Sequence, residues 1–409
     1  MFTLIFAGEM IFSLPFHIAR FFRPSMLIAF NLNNTQLGDI FFFYGLMAMI
    51  AYFPGGIIAD RFSPRKLMSI SLFATAFGGI VMLQLPGQIA LSILFAYWGL
   101  TTIFLFWSAM IKATRLWGGT LEQGKAFGFL DGGRGLIAAI ISTLAVFVIS
   151  NIFPENVENL NNIDRQIAMK SVIWLYTALT TLAGLMIWIF IPESINSQTN
   201  YKNPFKGIKK ILFNKKVWLQ AIIVVSAYSA YKGLDYYSLY VADILGKNEL
   251  EASRFVSNAS YLRPLGAIAA GLIVDKLNTK KVITALFIIL IICYSLISIS
   301  QSLSLLILTV TLNILISFTA VYGLRGVYFV LVAETNIPLS YTGTAIGLIS
   351  VIGFTPDVFF NSMAGRILDN NPGIIGYQNY FITLALFSLA GLVAILLLKR
   401  KSKTEKHNI

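Results

Sequence analysis

Glu9, Ser13, His17, Arg20 and Arg23 recur inside one apolar run. At about 100° per residue they fall within roughly 120° of one helical face. An arginine there can fork onto a carboxylate or phosphate, which makes Arg20 the first candidate for an anion ligand. Arg23 either joins it or snorkels outward. His17 either carries a coupling proton or acts as a hydrogen-bonded spacer. Glu9 is either a proton site or a partner for a nearby base. A second group, Tyr228, Tyr231, Lys232 and Asp235, shares about 100° of arc. Lys232 and Asp235, three residues apart, can neutralise each other, or Lys232 can be released to an incoming anion between aromatic walls. A third pair, Asp131 and Arg134, lies beside a stripe of small residues at Gly124, Gly128, Gly135, Ala138 and Ser142. The stripe permits close helix contact, and the pair is either structural or a cavity base tuned by its acid. Arg263, just before Pro264, either contacts a substrate or gates by pairing with Asp235 or Asp357. Asp357 is a gate or proton candidate, and Lys112 and Arg325 are read as snorkelling or gate residues.

These charges matter because of the elements that must carry them. Of 409 residues, 57% are hydrophobic and 12% charged, against about 25% charged in a soluble domain. The apolar residues come in runs of the length a bilayer requires, roughly 20 residues. Spans are predicted at 2–29, 36–58, 67–86, 89–111, 125–152, 167–191, 217–243, 252–273, 282–300, 303–328, 341–365 and 378–398. Each is helical, because unpaired backbone groups are too costly in hydrocarbon. The fold class is therefore an all-α membrane protein of twelve transmembrane helices in two pseudo-symmetric six-helix bundles. The expected division is a bundle over 1–191, a polar linker over 192–216 and a second bundle with a basic tail over 217–409. Residues 1–30 are too long and apolar for a signal peptide and form the first helix; an upstream start stays open.

The net charge of +13 is not a nucleic-acid footprint. Basic residues concentrate in alternate connections: Arg61, Arg65 and Lys66; Lys112, Arg115 and Lys125; the lysines of 202–216; Lys276, Lys280 and Lys281; and the tail. The positive-inside pattern places these connections and both termini in the cytoplasm of a bacterial-type inner membrane. Lone Cys293 cannot form an internal disulfide.

The halves repeat. Gly56-Ile-Ile-Ala-Asp60-Arg61 with Arg65-Lys66 follows span 2, and Gly271-Leu-Ile-Val-Asp275-Lys276 with Lys280-Lys281 follows span 8, 215 residues later. These loops resemble the signature of the major facilitator superfamily. The resemblance implies alternating access by two bundles, with Asp60 and Asp275 capping a neighbouring helix and pairing with a base. A narrower resemblance is to the organophosphate:phosphate antiporters. His17-Ile-Ala-Arg20-Phe-Phe-Arg23 is similar to that group's first-helix segment, and Tyr231-Lys232-Gly233-Leu234-Asp235 to the segment holding its second pore arginine. The match departs at Lys232, where the group has Arg, and at Arg134, aligned with a histidine. Lysine lacks the planar fork.

The expected function is secondary transport of a small organic anion, as an organophosphate exchanged for phosphate or an organic acid moved with protons. The candidate ligands are Arg20, Lys232, Arg134, Arg263, His17 and Tyr231. The candidate coupling or gating groups are Glu9, Asp131, Asp235 and Asp357. Two alternatives stay open: a proton-coupled carrier of a neutral solute such as a sugar, and a transporter-like sensor of a sugar phosphate. No phosphate loop, hydrolase elbow or metal-ligand spacing is present, so no enzyme, cofactor or metal is expected. The expected partners are the anionic substrate and membrane lipid, and the chain is expected to work as a monomer.

Overall fold

The computed structural model describes residues 1–119, 123–152, 161–193, 213–299, 306–331 and 342–398. The expected central linker and basic tail lie almost wholly outside them, as do the side chains of Asp60 and Asp275. Every regular element among the described residues is helical. Nine runs among the described residues are long and apolar enough to cross a membrane, or ten if one bent pair counts as a span.

Among the described residues the helical elements can be grouped, in chain order, into twelve runs. The first, α1, is built from Phe2–Met10, Ser13–His17, Ile18–Phe21 and Arg23–Ala29. Asn34–Arg61 is α2, Pro64–Met82 α3, Gln88–Gly118 α4, Gln123–Ser150 α5 and Asn162–Phe190 α6. Lys215–Asp243 is α7, with a 3-10 turn at Leu234–Tyr236. Glu249–Ala259 and Leu262–Lys276 form α8, Thr279–Ile299 α9 and Leu306–Val327 α10. Thr342–Gly353 and Pro356–Asn370 form α11, and Ile374–Leu397 α12.

Three of the predicted uninterrupted spans are broken. Pro356 opens the second piece of α11, and Pro264 sits in the first turn of the second piece of α8. Proline lacks an N–H, so it suits a helix start and not an interior. In α1 the pieces Phe2–Met10 and Ser13–Phe21 meet at 48°, with a wide π-turn at Ser13–His17 that contains Pro15. Ser13 Oγ donates to the Met10 carbonyl at 2.7 Å, just before the bend. A second wide turn, Thr101–Trp107, lies within α4. There Ser71 of α3 donates to the Thr101 carbonyl at 2.6 Å.

The core is mainly apolar but also holds buried polar and charged side chains. Ser, Thr and ionisable side chains lie buried, while Phe77, Trp174, Phe190, Ile292 and Ile299 are exposed. That distribution suits helices whose outer solvent is lipid.

The chain divides into two compact units. The first comprises Met1–Gln198, Leu234–Pro264 and Asp357–Tyr377; the second comprises Thr199–Gly233, Leu265–Pro356 and Gln378–Ile409. Within the first unit, α2 and α11 cross backbone against backbone. A Cβ on Gly38 would lie 2.3 Å from the Asn361 carbonyl oxygen, one on Gly45 2.4 Å from that of Asp357, and one on Gly365 2.3 Å from that of Asn34. Charged contacts gather at the same end: Arg366 Nη1 to Asp39 at 2.8 Å, the Thr35 amide to Asp369 at 2.6 Å and Arg165 to Glu249 at 2.7 Å.

The repeated loops show related tethers. Lys66, opening α3, pairs with Glu193 after α6 and holds that carboxyl below the usual glutamate range through its hydrogen bond and charge. Lys280, opening α9, caps the end of α12 through the carbonyls of Leu396 at 2.9 Å and Leu398 at 3.0 Å. Lys112, expected to snorkel or gate, donates to the Ala59 carbonyl at 2.8 Å, where a cation suits the helix C-terminus. A Cβ added at Gly56 or Gly271 would meet nothing within 4 Å.

At the start of α2, Asn33 and Gln36 form a reciprocal capping box. Asn33→Ala is expected to cost about 1 kcal/mol, read as a lowered thermal midpoint of the purified protein with transport retained.

Candidate functional site

Buried ionisable side chains of the first unit converge on Glu9. Arg263 of α8 forks onto this carboxylate, with Nη1 2.7 Å from Oε1 and Nη2 3.3 Å from Oε2. Arg134 of α5 donates through Nε to Oε2 at 3.2 Å. His17 Nε2 lies 3.2 Å from Oε1. Glu9, His17, Arg134 and Arg263 are all less than a tenth exposed. Charge-assisted bonds of this kind are the strong ones, and the planar fork fixes orientation as well as energy.

Glycines make the room. A Cβ at Gly8 would lie 3.2 Å from Arg134 Cδ, and one at Gly135 2.9 Å from Arg263 Cγ. The small-residue stripe of α5 therefore gives passage to an arginine from α8. Further along it, Ser142 and Ser257 share a hydrogen bond at 2.8 Å. Ser13, grouped by spacing with the ionisable residues, instead faces Thr180 of α6 at 3.2 Å.

A second ion pair lies farther along α1. Arg20 Nε donates to Asp235 Oδ1 at 2.5 Å, with both side chains almost wholly buried. Ser238 Oγ adds a bond to the Arg20 carbonyl at 3.0 Å. Arg20 is thus a partner of Asp235, from another helix, that spacing along one helix does not name.

Arg134 forms the expected i,i+3 ion pair with Asp131 at 4.0 Å, the Asp131 side chain being about half exposed, and a closer one with Glu9 at 3.2 Å. The i,i+3 spacing brings Asp131 close, but the buried carboxylate lies on α1. Arg263 pairs with Glu9, a partner 254 residues away that no helical periodicity reveals. Arg23 does not snorkel: it is fully buried, its guanidinium 3.7 Å over the Tyr236 ring. Asp357 lies at the start of its helix piece, its carbonyl against Gly45.

In the second unit, Lys232 is buried at the end of Lys215–Gly233. Tyr231 packs against Tyr228 at 5.5 Å and Tyr322 at 6.1 Å between ring centroids. Arg325, expected to snorkel or gate, lays its guanidinium 3.7 Å over the Tyr231 ring. Tyrosine faces attract such cations. Among the described residues no cluster of His, Cys, Asp and Glu is disposed to hold a metal.

Comparison with known proteins defines the class. The family profile of the Major Facilitator Superfamily matches residues 5–360, and the chain belongs to that superfamily. It is 28% identical over 424 residues to the Escherichia coli inner membrane protein YihN, covering 98% of this chain and 96% of that one. It is 27% identical over 387 residues to the Escherichia coli inner membrane protein YqcE, covering 92% and 88% respectively. Its fold is shared with the crystal structure of a D-xylose-proton symporter, at a TM-score of 0.74, 15% identity and coverage of 99% and 98%.

Proposed function

We propose that this major facilitator protein is a secondary active transporter of a small organic anion, working by alternating access as a monomer in a bacterial inner membrane with both termini cytoplasmic. One observation carries the reading: two arginines from different helices already close on a carboxylate, that of Glu9. A donor set that fits a buried carboxylate in the protein's own chain fits the same group on a substrate. Glu9 then acts as the resident occupant of an anion site, yielding Arg134 and Arg263 to the substrate. Its protonation, with His17 as neighbour, gives a route to proton coupling. Arg20, Lys232 and Tyr231 are the further ligands of this reading, and Asp131, Asp235 and Asp357 its tuning or gating groups. Phosphate exchange is the form suggested by the antiporter resemblance. The inner-membrane relatives agree with the location.

The test is uptake into proteoliposomes preloaded with phosphate, using labelled organic phosphates and carboxylates. Exchange is expected, with at least a tenfold loss in Arg20→Ala and Arg263→Ala. Arg263→Lys is expected to restore little, since it keeps the charge but loses the fork. The Arg20–Asp235 pair favours a second reading, a proton-coupled carrier of a neutral solute, because such a carrier keeps its deep bases paired with acids. The symporter sharing the fold is named for a sugar and a proton. Flux that needs a proton gradient, ignores internal phosphate and survives Arg20→Ala selects that reading.

A further inference from the structure

Arg23 is the largest buried charge outside the site just described. Its side chain has no solvent exposure. Nε donates to Asn34 Oδ1 at 3.0 Å, and Tyr236 covers the guanidinium face. Nη1 and Nη2 are buried and, among the described residues, meet no hydrogen-bond acceptor. No carboxylate of those residues comes within 4.0 Å of this guanidinium. Asp369 is one group removed: it accepts from Asn34 Nδ2 at 3.3 Å and so turns the Asn34 oxygen toward Arg23.

Asn361 is joined to this group through Tyr236. It is 1% exposed, and neither its Nδ2 nor its Oδ1 has a partner among the described residues. Tyr236 links the two residues, its ring under Arg23 and its hydroxyl donating to the Asn361 carbonyl at 2.9 Å. The Asn361 backbone is pinned against Gly38, one turn along α2 from Asn34. An ionised guanidinium buried with open N–H groups is costly unless something neutralises it. The open arginine groups are donors, and the Asn361 amide can add its two N–H groups, its open Oδ1 being an acceptor that must turn away from a negative guest. A guest must therefore accept hydrogen bonds, and a negative charge on it offsets the buried positive one.

We propose that Arg23, Asn34, Tyr236 and Asn361 form a second anion site, taking a small inorganic anion, a halide or a compact oxyanion. The full burial of Arg23 suits a compact guest. The occupant joins α1, α2, α7 and α11 within the first unit, and so stabilises the packing of those four helices. This site uses none of the residues that the transport reading names as ligands or gates, although Tyr236 directly follows Asp235.

The test compares thermal unfolding of the purified protein in sodium gluconate, chloride, bromide and phosphate at one ionic strength. Chloride, or phosphate if the site takes an oxyanion, is expected to raise the midpoint by roughly 3 °C or more with saturation. Arg23→Gln is expected to abolish that dependence. A midpoint indifferent to anion identity in the wild type, or a dependence surviving in Arg23→Gln, overturns the proposal. Should Arg23→Gln fail to fold, crystals of the wild type grown in bromide decide the matter. An anomalous peak within hydrogen-bond distance of Arg23 supports the site, and its absence, with water in that place, sinks it.

Discussion

Glu9→Gln is expected to bind the transported anion at least tenfold more tightly than the wild type, to turn it over more slowly and to lose any dependence on a proton gradient. The substitution keeps the shape of the side chain and removes its charge. Arg263 and Arg134 make three hydrogen bonds to the carboxylate, each of a charged kind worth about 1.5–3 kcal/mol. A substrate must displace these contacts before it can use the same donors. Tenfold in affinity is about 1.4 kcal/mol, less than one such bond, so tenfold is a floor. The empty variant suffers in return. Leaving buried arginines without their acid costs about 3–5 kcal/mol, so its thermal midpoint falls, and the substrate anion should restore it. Equilibrium binding and unfolding with and without the anion read both effects. If Glu9→Gln binds no tighter and no anion raises its midpoint, Glu9 is a structural brace and the resident-occupant mechanism is wrong.

Gly38→Ala is the second large effect expected, despite its single methyl group. Its Cβ would stand 2.3 Å from the Asn361 oxygen, where side chains keep at least 3.0 Å. The obstacle is backbone, which cannot turn aside as a side chain does. The helices must separate by about 1 Å, at the overpacking cost of roughly 1–3 kcal/mol. Two similar contacts, at Gly45 and Gly365, lie along the same crossing. If this crossing opens in the transport cycle, the substitution favours the separated state. Leu37 is fully buried next to Gly38. In a Cys293→Ser, Leu37→Cys background, maleimide labelling of the detergent-purified protein should speed up at least tenfold when Gly38→Ala is added. Unchanged labelling with unchanged transport rules out a crossing that opens.

The fold is largely readable from the chain. Apolar runs of spanning length and the duplicated Gly56 and Gly271 loops announce twelve helices and a superfamily, since hydrocarbon leaves the backbone few options. The breaks in α8 and α11 carry a visible signal in Pro264 and Pro356. Much of the candidate site is legible as residue types, because a charge in an apolar run stands out. Its pairing is not. Spacing can rank neighbours on one helix, such as Asp131 with Arg134 or Lys232 with Asp235. It cannot reveal that Arg263 crosses 254 residues to reach Glu9, or that Arg20 reaches Asp235. Arg23 reads as snorkelling because a position near a helix end suggests exposure, whereas Tyr236 and Asn34 enclose it.

The wide turn at Ser13–His17 has a consequence for how α1 tolerates change in length. In an unbroken α-helix, residues eight apart are turned about 80° from each other. A π-turn absorbs one extra residue, so Glu9 and His17 are spaced as if roughly seven apart and return to nearly the same side. The 48° bend between them completes their approach to 3.2 Å. The surplus residue is thus a register shim. A deletion of one residue between Ile11 and Phe16 would convert the wide turn to an ordinary one and leave His17, Arg20 and Arg23 on their present sides, whereas an insertion there would rotate all three by about 100° away from their partners.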